Sequence, residues 1–212
     1  MNHAASLGRP YFNLILVGTL GGRLTQTGTL VAERQDVRFT TLETEIRSRE
    51  GYSIDDIRGL FGIARLRRIE NDLCREMALQ RGAVIALPCA ALLDEENRSR
   101  LSDSGVILAL TCSLNETLRR QYIAQGAYFH DPAARALALD SIRRDLQALR
   151  VISADTLDTT RLTIIEAAEQ ASSFWREHGA ENSAARVSQI RNPAGAAAPI
   201  QTNAAPKSGE RS

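Results

Sequence analysis

The chain has 212 residues, 43% of them hydrophobic, with 26 Lys and Arg against 25 Asp and Glu. That is enough apolar material for one domain with a sizeable core, and the interspersed charges leave no basic face for a nucleic acid. Three scattered cysteines, Cys74, Cys89 and Cys112, form no CxxC pair, which argues against a zinc site, and no apolar run reaches the roughly 18 to 20 residues that span a bilayer.

A soluble, cytoplasmic protein is the expectation, with residues 1–10 as an N-terminal extension lacking the apolar stretch of a signal peptide. Residues 11–17 form a short apolar run that stops at glycines, which suits a strand buried in a parallel sheet. Residues 25–33 follow as a helix and residues 37–40 as a second strand. Residues 53–80 read as one long helix: Leu66, Ile69, Leu73 and Met77 share a face, and Ser53 followed by Asp55 and Asp56 marks its start. A third strand over 83–87 closes at Pro88, a helix spans 95–102, and a fourth strand spans 106–110. Helices over 115–125 and 132–150 flank a loop, and a last helix covers 158–177. From about His178 the composition turns to Ala, Asn, Pro, Gly and Ser, too little apolar surface to offset the entropy of ordering, so residues 178–212 are expected to form a disordered tail. Alternating strands and helices predict an α/β fold, a parallel sheet with helices on both faces. They also put the turn after Val17 at the carboxyl end of a strand, where such sheets bind ligands.

That turn reads Val17-Gly18-Thr19-Leu20-Gly21-Gly22-Arg23-Leu24-Thr25. A phosphate-binding loop uses glycines so that backbone N–H groups can curl around an oxyanion ahead of a helix N-terminus. It adds a lysine for the terminal phosphates and a hydroxyl for magnesium. Gly18, Gly21 and Gly22 supply glycines in the right context. In the register that keeps Thr25 as the hydroxyl, however, Arg23 stands for the second required glycine and Leu24 for the lysine. In the register shorter by a residue, Gly22 and Arg23 form the Gly–Lys pair and Leu24 displaces the hydroxyl. Neither register is an intact motif.

Downstream, Phe39-Thr40-Thr41-Leu42-Glu43-Thr44-Glu45-Ile46 is followed by Ile54, Ile57, Gly62, Ile63, Leu66, Arg67 and Glu70, then by Pro88-Cys89-Ala90, and by Glu96, Arg98, Arg100, Leu101 and Gly105. On these residues the chain resembles the shikimate kinases, small P-loop enzymes of the nucleoside monophosphate kinase type that serve aromatic amino acid biosynthesis. The resemblance implies a shikimate kinase-like domain over 11–177, with a lid over about 121–135. It also implies roles. The magnesium-side aspartate of the family falls on Thr41, and the aspartate that binds shikimate hydroxyls falls on Glu43. The glycine triplet that faces shikimate falls on Pro88, Cys89 and Ala90. Arg67 matches a carboxylate-binding arginine, with Glu70 to orient it, whereas the second such arginine falls on Leu146, near Arg143, Arg144 and Arg150. Arg120 matches the arginine beside the adenine. The lid arginine has no counterpart in Gln125-Gly126-Ala127-Tyr128-Phe129-His130.

Phosphoryl transfer depends on positioning and on electrostatic stabilisation of the transferred group, and each lost group costs on the order of 10²- to 10³-fold in rate. With the lysine, the magnesium-side aspartate and the lid arginine all replaced, the residues point to a non-catalytic, ligand-binding or regulatory protein with no cofactor. Glu43, Arg67 and Glu70, walled by Pro88, Cys89 and Ala90, are then the binding site for a small carboxylate or aromatic acid. The alternatives are an active phosphotransferase that uses Gly18, Gly21, Gly22, Arg23, Thr25 and Arg120 for ATP, with Thr25 on magnesium, and a scaffold for a protein partner. His130-Asp131-Pro132 reads either as an acid–base pair or as a helix start, and Cys89 either as a reactive or as a buried thiol.

Overall fold

The computed structural model describes residues 11–18, 23–126, 131–152 and 154–191. The strands are β1 (Asn13–Gly18), β2 (Phe39–Thr41), β3 (Val84–Pro88), β4 (Gly105–Thr111) and β5 (Asp155–Asp158). They form one five-stranded sheet in the order β2-β3-β1-β4-β5, with every pairing parallel. The helices are α1 (Leu24–Gln35), α2 (Leu42–Glu50), α3 (Ile54–Phe61), α4 (Ile63–Met77), α5 (Glu95–Ser104), α6 (Leu114–Gln125), α7 (Pro132–Val151) and α8 (Ile164–Arg191), with a 3-10 helix over Cys89–Leu93.

Because β1 lies at the centre with helices on both sides, all of its residues are buried, and its sequence is a continuous apolar run rather than an alternating one. Leu14 and Leu16 face α1 and α8 together with Val31, Ala168, Ala171 and Trp175. Ile15 and Val17 face the other layer, where Leu42, Ile46, Ile57, Leu66, Ile69, Leu73 and Ala148 converge from α2, α3, α4 and α7. The indole N–H of Trp175 donates to the Phe12 carbonyl at 3.0 Å, which fastens α8 to the start of β1. Asn13, fully buried, donates to the Gln80 carbonyl and accepts from the Ala83 N–H, so it holds the chain entering β3 against β1.

Several boundaries differ from the sequence reading. The helix expected over 53–80 is two helices, because Gly62 adopts φ 83° and ψ 164°, a conformation essentially confined to glycine. Its start is as read: Ser53 and Asp56 form a reciprocal capping box. Helix α2 was not anticipated; Thr41 caps it, accepting from the Thr44 N–H at 3.0 Å. The last helix begins at Ile164 rather than at 158, since Asp155–Asp158 pairs with β4 as an edge strand. Helix α8 runs to Arg191, so residues 178–191, expected to be irregular, have a helical backbone. The 1–10 extension and residues 192–212 lie outside the described residues.

Candidate functional site

The register brings the carboxyl ends of the strands together: Gly18 lies beside Pro88 on one side and Leu110 on the other, and Thr111 lies beside Asp158. A crevice at this edge of a parallel sheet is where ligands seat. The candidate residues divide into a nucleotide side around β1 and α1 and an acid side around α3, α4 and α7.

On the nucleotide side, a Cβ on Gly18 would lie 3.1 Å from the Leu110 carbonyl oxygen, so a side chain at the end of β1 would press on the backbone of β4. Gly21 and Gly22 lie outside the described residues. Arg23 is the N-cap of α1 and has φ 56° and ψ 24°, the left-handed conformation that glycine adopts without strain. This supports the register in which Arg23 stands for the loop's second glycine. The Arg23 side chain reaches the segment between β5 and α8 and donates to the Leu162 carbonyl at 3.0 Å. Leu24 folds back over Gly18 and packs against the β1–α8 core layer, so the lysine position holds an apolar side chain. Thr25 is exposed in the first turn of α1, which has no acidic residue.

Arg120 is buried rather than presented to a base. It donates from Nε to Glu116 at 2.8 Å and from Nη2 to the Thr159 carbonyl at 2.7 Å, clamping α6 to the segment after β5. Two arginine partners, Arg119 first and Arg120 after it, hold the Glu116 carboxyl down at about 2. Among the described side chains around this turn, the Thr25 hydroxyl is exposed, while Arg23 and Arg120 are bonded to carbonyls and to Glu116. Among the described residues, no cluster of His, Cys, Asp or Glu could hold a metal ion.

The acid side differs. Glu43 stands in the first turn of α2, exposed and paired with Arg47 at 3.4 Å. Glu45 accepts from the Thr40 hydroxyl at 2.6 Å and is not a partner of Arg67. Arg67 is exposed, and no described residue accepts a hydrogen bond from it. Glu70 is half-buried; burial pushes its carboxyl above the usual range, and the charges of Arg58, Arg67 and Arg144 draw it part of the way back. Of Arg143, Arg144 and Arg150, Arg144 is the one whose charge reaches Glu70. Arg58 on α3, whose charge also acts on Glu70, was not singled out in the sequence.

The triplet Pro88, Cys89 and Ala90 leads from β3 into the 3-10 helix. The Ala90 N–H donates to Oδ1 of Asp145 at 3.3 Å, and Asp145 is itself buried on α7. Cys89 is fully buried; burial first, and the Asp145 charge second, push its thiol far above the ordinary value. It is an inert core thiol. Asp131 accepts from the Ala133 N–H at 3.4 Å at the start of α7, as a helix-starting residue does, and residues 127–130 of the lid expected over about 121–135, His130 among them, lie outside the described residues.

A parallel sheet in the order 2-3-1-4-5, with a glycine-bearing turn between the central strand and α1, defines a P-loop kinase-type α/β domain. The shikimate kinase family profile matches residues 24–176. The chain is 30% identical to the shikimate kinase of Chromobacterium violaceum over 160 residues, covering 72% of this chain and 83% of that protein. It is 33% identical to the shikimate kinase of Geobacter sulfurreducens over 108 residues, which span only 60% of that protein. In fold it is similar to a shikimate kinase from Acinetobacter baumannii solved in complex with shikimate, with a TM-score of 0.64 and 19% identity over 89% of this chain and 97% of that one. The chain belongs to the shikimate kinase family.

Proposed function

We propose that this member of the family binds a small hydroxy or aromatic carboxylate on its α3–α4–α7 side and does not transfer phosphate to it. The observation that carries this reading is the contrast between two sets of arginines. On the nucleotide side, Arg23 and Arg120 are committed to carbonyls and to Glu116. On the acid side, Arg67 is exposed with its guanidinium uncommitted to any described residue, and Arg144 lies near. A guanidinium fork with free donors is suited to bidentate recognition of a carboxylate. The solved relative with bound shikimate, itself a small carboxylate, supports the ligand class.

The second reading is an ATP-dependent phosphotransferase acting on such an acid. Its support is the likeness itself: the curated relatives are named shikimate kinase, and Thr25 keeps the hydroxyl position. Against it stand Leu24 where a cation is needed and Thr41 where a carboxylate is needed, the latter occupied in capping α2.

Thermal melting separates the readings, since a ligand that binds only the folded state must raise the midpoint. A rise with shikimate or an aromatic acid that disappears in Arg67→Ala, with none from magnesium–ATP, supports binding without transfer. A rise with magnesium–ATP accompanied by ADP release in the presence of an acid supports the phosphotransferase. No rise with any of these ligands leaves the fold as a scaffold.

A further inference from the structure

We infer that the elbow between α3 and α4 is the contact surface of a two-fold dimer, its partner a second copy of this chain; nothing in this depends on the carboxylate reading above. Every residue from Gly59 to Arg65 is exposed, over the stretch Gly-Leu-Phe-Gly-Ile-Ala-Arg. Leu60, 67% exposed, and Ile63 flank Phe61 in the chain, and the Tyr52 ring meets the Phe61 ring edge-on at 5.5 Å. The Arg65 guanidinium lies over Phe61, 4.6 Å from the ring centroid. Apolar residues exposed singly need no explanation, but a contiguous patch rimmed by charge marks an interaction surface.

The rim carries both signs, sorted by helix. The start of α3 presents Asp55 and Asp56, both exposed, and α4 presents Arg65 and Arg68, neighbours at a spacing of three. Asp55, with its side chain 85% accessible, keeps only a surface pair with Arg58, which is worth little. Asp56 closes the cap on Ser53, and Arg47, whose charge reaches it, is paired with Glu43. Arg65 spends one nitrogen on Glu50 at 3.1 Å. A partner of one sign, such as an anionic bilayer or a nucleic acid, would be repelled by half of this rim. A second copy related by a two-fold axis through the elbow sets its α4 against the first copy's α3, and the reverse. Arg65 and Arg68 of each copy then meet Asp55 and Asp56 of the other, while the apolar side chains pack on their own counterparts. Gly59 lies on the outer surface of α3 next to both acids, and a Cβ there would meet nothing within 4 Å, so a second backbone can approach closely. The patch is smaller than the roughly 800 Å² per partner of a standard complex, so the dimer should be weak, with a dissociation constant of about 10 to 100 µM.

Sedimentation velocity of the full chain from about 1 to about 500 µM, which brackets that constant, tests this. The expected result is a shift from monomer to dimer, weakened at least about tenfold by Leu60→Asp and by Gly59→Gln, whose added side chain has open space in the monomer. Charge reversal tests the axis. Asp55→Arg alone and Arg68→Glu alone each place like charges opposite one another twice and should weaken dimerisation. An equal mixture of the two variants makes both contacts complementary and should recover it. The near-ultraviolet signal of buried Trp175 verifies that each variant is folded. A chain that stays monomeric throughout, a dimer untouched by Leu60→Asp and Gly59→Gln, or a mixture no better than its components overturns the inference. Binding of a monomer to phosphatidylserine vesicles that is lost in Leu60→Asp would overturn it in favour of a membrane.

Discussion

The backbone N–H of Ala90 donates to the Asp145 carboxylate at 3.3 Å, across 55 residues of chain. In the family resemblance this turn directs its backbone N–H groups at shikimate; here a buried acid of α7 claims one of them from within. Asp145→Ala leaves that half-buried N–H without this acceptor and is expected to cost about 1–3 kcal/mol. Asp145→Asn, which keeps an acceptor, should recover most of the loss. Urea unfolding of the two variants measures the difference.

Arg120 is a structural clamp, so its truncation should be felt in stability before any ligand is added. Arg120→Ala leaves Glu116 to Arg119 alone and removes the donors to Thr159, so it should lower the melting midpoint. Arg120→Lys should not rescue it, because the guanidinium reaches Glu116 and Thr159 with different nitrogens.

Arg23→Gly with Leu24→Lys restores the motif in the register that the left-handed Arg23 supports. This double variant is expected to gain a thermal shift with magnesium–ATP yet still fail to phosphorylate shikimate, since Thr41 and Leu146 remain uncharged. ADP release measured with and without shikimate checks both halves.

Acid should weaken the fold through its caps. Asp94 is held low by the Asn97 N–H, Asp158 by the Thr160 hydroxyl, Glu166 by the Thr163 N–H, and Glu116, at about 2, by Arg119. Carboxyls depressed on folding stabilise above their unfolded values of 3.8 to 4.5, and that contribution is lost as pH falls through the folded ones. Glu70 works in the opposite sense: its raised carboxyl favours folding below 4.5 and loses that contribution as pH rises through the elevated value. The melting midpoint should therefore fall between pH 4 and about 2, and Asp94→Ala should weaken the fold at neutral pH by about 1 kcal/mol as a lost N-cap.

The parallel sheet was legible because its central strands are buried on both faces and so appear as unbroken apolar runs over Leu14–Val17 and Val84–Leu87. Strand β5 was not, because Asp155, Thr156 and Asp158 are exposed at the sheet edge and carry no apolar signal. The break at Gly62 was hidden for a related reason: hydrophobic spacing continues through it, and only the backbone angle separates α3 from α4. At the site, Leu24, Thr41 and Arg67 were legible as residue types at matching positions. The commitments of Arg23 to Leu162 and of Asp145 to Ala90 join residues 139 and 55 apart, which no local pattern encodes.

The most direct test of binding without transfer is ³¹P NMR of the full chain incubated with magnesium–ATP and shikimate, alongside calorimetric titration of shikimate and benzoate. The account predicts that an acid binds with dependence on Arg67 while the ATP resonances persist and no phosphate ester appears. Growth of a phosphate monoester signal, matched by ADP, would contradict it.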